Sequence, residues 1–316
     1  MKNSEKFPYN IYEPYKLEVF DEEYDCYMAK FSSLYDLYNY LKSNPNINRS
    51  VFTELSSVYG EESFAGVPYD NAVEELIAKP RREYDDFLKL SNRLSSNNVG
   101  YVKEYIDVKS PAGGVIDIPA YSSGNPLCYK ISRSIYVPKF IRLNVGLSYS
   151  WSTSKKQVLN RALIISSLIS AFENAGYMVN VNTFELSHCY DELAYINVNI
   201  KNTDETFNKS SLYKTLCYVE FLRRILFRVL ETLDVSNYWS SGYGSTCRED
   251  FCRKALKFSD SDLYIGEPNE MDITGRDIVK DFNNVVYKLS LDDFIDTKLF
   301  EKDFENNIKK LELGIK

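Results

Sequence analysis

Residues 140–201 read FIRLNVGLSYSWSTSKKQVLNRALIISSLISAFENAGYMVNVNTFELSHCYDELAYINVNIK, and their spacing decides the fold. Ile141, Leu143, Val145 and Leu147 alternate with Arg142, Asn144 and Gly146, the period of two that marks a strand. A hydroxyl-rich turn follows, and Ser154 and Gln157 stand at capping-box spacing, so a helix is expected over about 155–175. Val158, Ala162, Ile165, Ile169 and Phe172 form one apolar stripe, with Ile164, Leu168 and Ala171 beside it. So wide an apolar surface means burial on more than one side. Gly176 supplies the stop. Val179 and Val181, then Ile196, Val198 and Ile200, mark two strands joined by a loop short enough for a hairpin. This is the core of an α/β domain.

Downstream, Leu212, Leu216, Val219, Leu226, Val229 and Leu233 predict one long helix over 210–233. Its Arg223, Arg224 and Arg228 read as a solvated face or as salt-bridge partners. A helix near 250–258, a strand at DLYIG (262–266), a helix over 273–289 and an amphipathic tail complete this half. Upstream, Phe31, Leu34, Tyr35, Tyr38 and Leu41 fall at helical spacing and predict a helix over 27–41. Further helices are expected from Asp70 and from Arg82. Residues 110–126, SPAGGVIDIPAYSSGNP, bracket Val115, Ile116 and Ile118 with glycine and proline. They are expected as an ordered loop or edge strand lying on the main domain. The expected organisation is a mainly helical region over 1–110, a connector over 111–134, an α/β domain over 135–290 and a tail over 291–316.

The charge balance argues against a general nucleic-acid binder: 38 Lys and Arg face 45 Asp and Glu, a net charge of −7. No run of apolar residues reaches membrane-spanning length, and Met1–Asn10 is polar, so a cytoplasmic location is expected. The six cysteines, Cys26, Cys128, Cys189, Cys217, Cys247 and Cys252, are scattered in the manner of reduced thiols. Cys247 and Cys252 with His188 and Cys189 could be assembled into a zinc site, but His188 is the only histidine and no second close pair exists.

Catalytic and cofactor motifs are missing. No G-x-S-x-G elbow accompanies His188, no Walker loop occurs, and Gly242-Tyr243-Gly244 lacks the third glycine of a dinucleotide fingerprint. No cofactor is expected. The loop YWSSGYGSTCR over 238–248 has the composition of a recognition surface, with Tyr238, Trp239, Tyr243 and Arg248 as candidate partner contacts. A tight turn whose Trp239 plugs the core is the alternative reading of the same residues. The 26 Tyr against 2 Trp fit either a biased codon supply or an aromatic contact surface.

The order strand, Ser-rich turn, buried helix, hairpin and second helix resembles the first half of a von Willebrand factor A-like domain. In that family the first strand ends in D-x-S-x-S, which holds a divalent cation. Here Gly146, Ser148 and Ser150 stand on those positions, so the serines match and the aspartate does not. The resemblance therefore implies a degenerate site without metal. GVIDIPAYSSGNP (114–126), LNRALIISSLISAFENAGYMVNV (159–181) and the 212–233 segment resemble a family of uncharacterised bacteriophage and prophage proteins. That resemblance implies phage origin and carries no reaction. The expected function is a non-enzymatic protein-binding role, with self or a host complex as partner, inhibition of a host antiviral assembly being its specific form. A metal-assisted hydrolase and a virion or assembly component are the alternatives.

Overall fold

The alternating strand of the opening stretch is flanked on both sides by parallel partners. The computed structural model describes residues 10–43, 66–81, 83–95, 104–135, 139–149, 152–233, 247–259 and 262–312. The main sheet comprises β1 (Asn10–Val19), β2 (Glu22–Phe31), β6 (Lys139–Gly146), β7 (Tyr177–Cys189), β8 (Glu192–Lys201) and β9 (Asp262–Ile265), in the order β1-β2-β8-β7-β6-β9. β6 runs parallel to β7 and β9, β7 and β8 form the antiparallel hairpin, and β8 runs parallel to β2. The protein is a mixed α/β fold, a central mixed sheet flanked by helices.

Helix α5 (Lys155–Asn174) starts as its sequence dictates: Gln157 N donates to Ser154 Oγ at 3.3 Å, and Ser154 N donates to Gln157 Oε1 at 2.8 Å. Both apolar stripes are used, because α5 lies between the sheet and an outer layer of α3 (Glu83–Leu94), α6 (Lys209–Cys217) and α9 (Ile278–Leu289). Ile164, Ile165, Leu168 and Phe172 are fully buried. Leu168→Ala would lose about 2–5 kcal/mol through the cavity it leaves.

The N-terminal expectation is corrected. Residues 27–31 continue β2, and only Leu34–Ser43 form helix α1. Strand parity puts Tyr24 and Cys26 on one face and Ala29 and Phe31 on the other, each facing a separate apolar cluster. The turn joining β1 to β2 holds Phe20 and Asp21 at φ of 52° and 66°, the left-handed pair a two-residue hairpin requires. Pairing with β8 outweighs the local helical spacing. Helix α2 (Tyr69–Glu75) and α3 follow as read.

Residues expected on the main domain instead build a second sheet, β3 (Glu104–Ser110), β4 (Val115–Ile116) and β5 (Tyr129–Ile135), in the order β3-β5-β4. Short helix α4 (Ile118–Ser122) is capped by Asp117, whose side chain accepts from Ala120 N at 3.3 Å. Val115, Ile116 and Ile118 are exposed.

The long helix expected over 210–233 is broken. α6 ends at Tyr218, which is extended, then Phe221–Leu226 wind as a π-helix before α7 (Phe227–Thr232). Arg224 and Arg228 are buried rather than solvated, and Arg228 pairs with Glu231 at 3.0 Å. After α8 (Glu249–Ala255), β9 and α9, the tail forms α10 (Thr297–Glu312). Phe300 and Phe304 are fully buried, and Phe304 stacks on Phe282 at 3.8 Å. Among the described residues no helix is long and apolar enough to cross a membrane.

Candidate functional site

β6 passes through α5 to β7 on one side, while β9 joins it on the other. The carboxyl ends of β6 and β9 therefore form the point where strand order reverses, the usual place for a ligand crevice in such sheets. Gly146 ends β6 here. A Cβ on it would meet Ile265 O, Phe184 Cζ and Tyr264 Oη at 3.8 Å each, ordinary van der Waals contact. Ser148 Oγ hydrogen-bonds the Glu185 carboxylate, and Ser187 Oγ donates to its other oxygen at 2.6 Å. Ser150 lies outside the described residues.

What fills the crevice is a side chain of the protein. Arg161, on α5, is 3% exposed and points its guanidinium at the strand ends. Nη2 donates to Gly146 O and to Ile265 O, the latter at 3.2 Å, tying the last carbonyls of β6 and β9 together. Burial pulls its pKa down to about 10, so it remains cationic at neutral pH. Tyr149 lies close by, its phenol pushed up to about 12 by burial against the opposing pull of Arg223 and Arg161.

On the face away from α5, Phe184, Leu186 and Tyr264 belong to an apolar cluster; Glu185, between the first two on β7, alternates to the opposite face and is 3% exposed. Burial raises its pKa, and the two serine hydrogen bonds oppose the rise. Glu270 accepts from Tyr264 Oη and from Glu249 N, each at 3.0 Å. Cys247 and Cys252 are in the same apolar cluster, where burial pushes both thiols up and suppresses the thiolate a nucleophile needs.

The residues singled out for zinc do not converge. Strand parity sends His188 and Cys189 to opposite faces. The His188 ring lies 5.7 Å from that of Phe251, while Cys189 packs against the α5 side of the sheet. All six cysteines are free, and no group of three His, Cys, Asp or Glu side chains among the described residues could hold a metal ion. Of the candidate partner contacts, Tyr238, Trp239 and Tyr243 lie outside the described residues. Arg248 is 86% exposed and sits 3.6 Å from Asp250.

A cavity of about 570 Å³ opens between α1, α2, β8 and α6, lined by Ser32, Ser33, Lys79, Ser210, Ser211 and Lys214. Its buried cation is already engaged: Lys214 Nζ donates to Leu76 O at 3.0 Å and Ala78 O at 2.6 Å, closing the end of α2. Sequence reasoning passed over Arg161 and Glu185. Arg161 did leave a signal, a charged residue amid the apolar positions of a helix whose two stripes already implied burial.

Residues 14–293 match the model of a family described as Domain of unknown function (DUF7192). No curated protein and no solved structure matches the chain.

Proposed function

The chain belongs to the family described as Domain of unknown function (DUF7192), and on that premise we propose that it is a non-enzymatic binding protein that works by self-association. The observation that carries this reading is the set of exposed apolar side chains on β4, α4 and the segment after it. Val115 is 73% exposed, Ile118 71% and Tyr121 63%, with Ile116 and Leu127 exposed beside them. Contiguous exposed apolar side chains mark interaction surfaces. At the opposite edge of that sheet, across β5, β3 is a seven-residue edge strand, and an edge strand lets two copies continue one sheet across a two-fold axis.

The strand–helix–hairpin succession, with β9 added in parallel to β6, supports the finer reading of the main sheet as a von Willebrand A-like domain whose metal site has degenerated. The Gly146 environment and the Arg161 guanidinium favour a scaffold kept for its surfaces. Phage origin and inhibition of a host antiviral assembly remain part of this proposal, resting on the sequence resemblance. The test is light scattering across a concentration series, comparing the natural chain with a Val115→Glu, Ile118→Glu double variant. A concentration-dependent oligomer that the variant reduces to monomer is expected. A natural chain that stays monomeric throughout, or a variant that still assembles, would remove the reading.

A further inference from the structure

β2 and β8 run parallel side by side, Phe31 against Val198, and at their carboxyl ends the chain turns into α1 and α6. The cavity of about 570 Å³ opens there, with the end of α2 as its third wall. Clefts of this size at the carboxyl ends of parallel strands are the usual seats of small molecules. The polar groups decide which kind. Both helix N-termini are closed by their own caps: Ser33 Oγ accepts from Asp36 N at 3.1 Å, and Asn208 Oδ1 accepts from Ser210 N at 3.0 Å and Ser211 N at 3.4 Å. The formal charges cancel as well. Lys79, Lys214 and Glu205 line the cavity, and Asp36, which accepts from Ser32 Oγ at 3.1 Å, borders it. Glu75, the other acid facing Lys214, is bound by Arg81. An anion therefore gains neither a free helix end nor a net charge here. What remains are groups that pair with a hydroxyl. Ser210 Oγ, Ser211 Oγ and Thr206 Oγ1 form no hydrogen bond among the described residues, and each both donates and accepts. Lys214 is 5% exposed, and Leu76 O and Ala78 O take two of its ammonium donors, leaving one in the cavity wall. Glu205 accepts from Asn202 N at 3.1 Å and Asn202 Nδ2 at 3.2 Å and keeps lone pairs to spare. Tyr35 and Ile77, 63% and 46% exposed, add an apolar wall with an aromatic ring.

We propose that this cleft binds a neutral carbohydrate, whose hydroxyls pair with Ser210, Ser211, Thr206, Lys214 Nζ and the Glu205 carboxylate while a C–H face of the sugar ring lies against Tyr35. A sugar brings donors and acceptors in similar supply, no charge and an apolar ring face, and each of these has its counterpart in the walls. A phosphorylated sugar would add negative charge to a site whose own charges already cancel. None of these residues belongs to the small sheet, so sugar binding is separate from self-association. The Val115→Glu, Ile118→Glu variant should bind the sugar unchanged.

The test uses the full chain and a panel of neutral sugars (glucose, galactose, mannose, ribose, N-acetylglucosamine, maltose and cellobiose), with ribose phosphate and inorganic phosphate as charged controls. Binding is read by calorimetric titration and by saturation-transfer NMR on the sugar. Saturable binding of at least one neutral sugar, insensitive to salt, is expected, with the charged controls weaker. Ser210→Ala combined with Ser211→Ala should weaken it by about tenfold or more, each hydrogen bond being worth roughly three- to tenfold. The same variant should keep its unfolding midpoint, because those hydroxyls hold nothing within the chain. Tyr35→Ala, at an exposed position, should weaken binding by roughly three- to tenfold through the lost ring contact. No binding by any sugar of the panel, tighter binding of either charged control, or unchanged affinity in the double serine variant would each overturn the proposal.

Discussion

Asn160 and Arg161 are neighbours on α5, both buried, and their environments are opposites. Asn160 Nδ2 donates to Asp281 Oδ2 at 2.8 Å. The same carboxylate accepts from Thr274 N at 2.7 Å, Thr274 Oγ1 at 3.0 Å and Gly275 N at 3.0 Å. Every oxygen of that fully buried group is used. One residue later, the Arg161 guanidinium spans two carbonyls, and its Nε, like Tyr149 Oη and Thr153 Oγ1, has no partner among the described residues. A closed polar cluster fixes the packing of α9 on α5. An open one, at the end of the central strands, costs stability.

The largest test of this contrast is Asp281→Ala. It strands the donors of Thr274, Gly275 and Asn160 at once and should cost about 3–5 kcal/mol in urea unfolding. A loss under about 1 kcal/mol would mean the cluster does not lock α9. Arg161→Met should cost less, about 1–2 kcal/mol. Two bonds to carbonyls disappear, but so does a poorly compensated buried charge. If Arg161→Met proves as damaging as Asp281→Ala, Arg161 is a structural clasp for the strand ends and the contrast fails.

Glu185, on the neighbouring strand β7, offers a test through pH. Its folded pKa is raised above the ordinary 4.5 by burial, so the protonated form favours the folded chain. That contribution is complete below 4.5 and is lost as pH rises through the folded value. Ser148 and Ser187 hydrogen-bond it, and Cys247 and Cys252 are the titratable groups it faces. The natural chain should therefore lose stability between pH 4.5 and 7 relative to Glu185→Gln, measured by denaturant unfolding at both pH values. Parallel curves for the two chains would show that Glu185 titrates alike folded and unfolded.

How much of this was legible depends on where the information lies. The β6–α5–β7–β8 block was readable because each element states its own period, and the cap at Ser154 and stop at Gly176 fix the helix ends. The β1–β2 hairpin was not, because residues 27–41 carry both periods and the decision is made by β8, some 165 positions away, as in the pairing of Tyr27 with Ala194 and its contact to Glu192. The π-helical turn leaves no mark of its own on the apolar pattern, so the 210–233 segment read as one helix. Of the site, Gly146 at the end of the alternating strand was visible in sequence. The rings that border it, and the arginine that crosses the strand ends, belong to packing and had to be seen.

The smallest effect gives the finest test, because it compares one hydroxyl with another. Thr274→Val removes an Oγ1 that donates to Asp281 at 3.0 Å and accepts from Arg276 N at 3.2 Å. It should cost about 1 kcal/mol. Tyr149→Phe removes a buried hydroxyl that makes no bond among the described residues, so it should be neutral or stabilising by up to about 1 kcal/mol. Should Tyr149→Phe cost as much as Thr274→Val, then water completes the Tyr149 cluster. The two neighbours on α5 would then differ in their partners and not in their purpose.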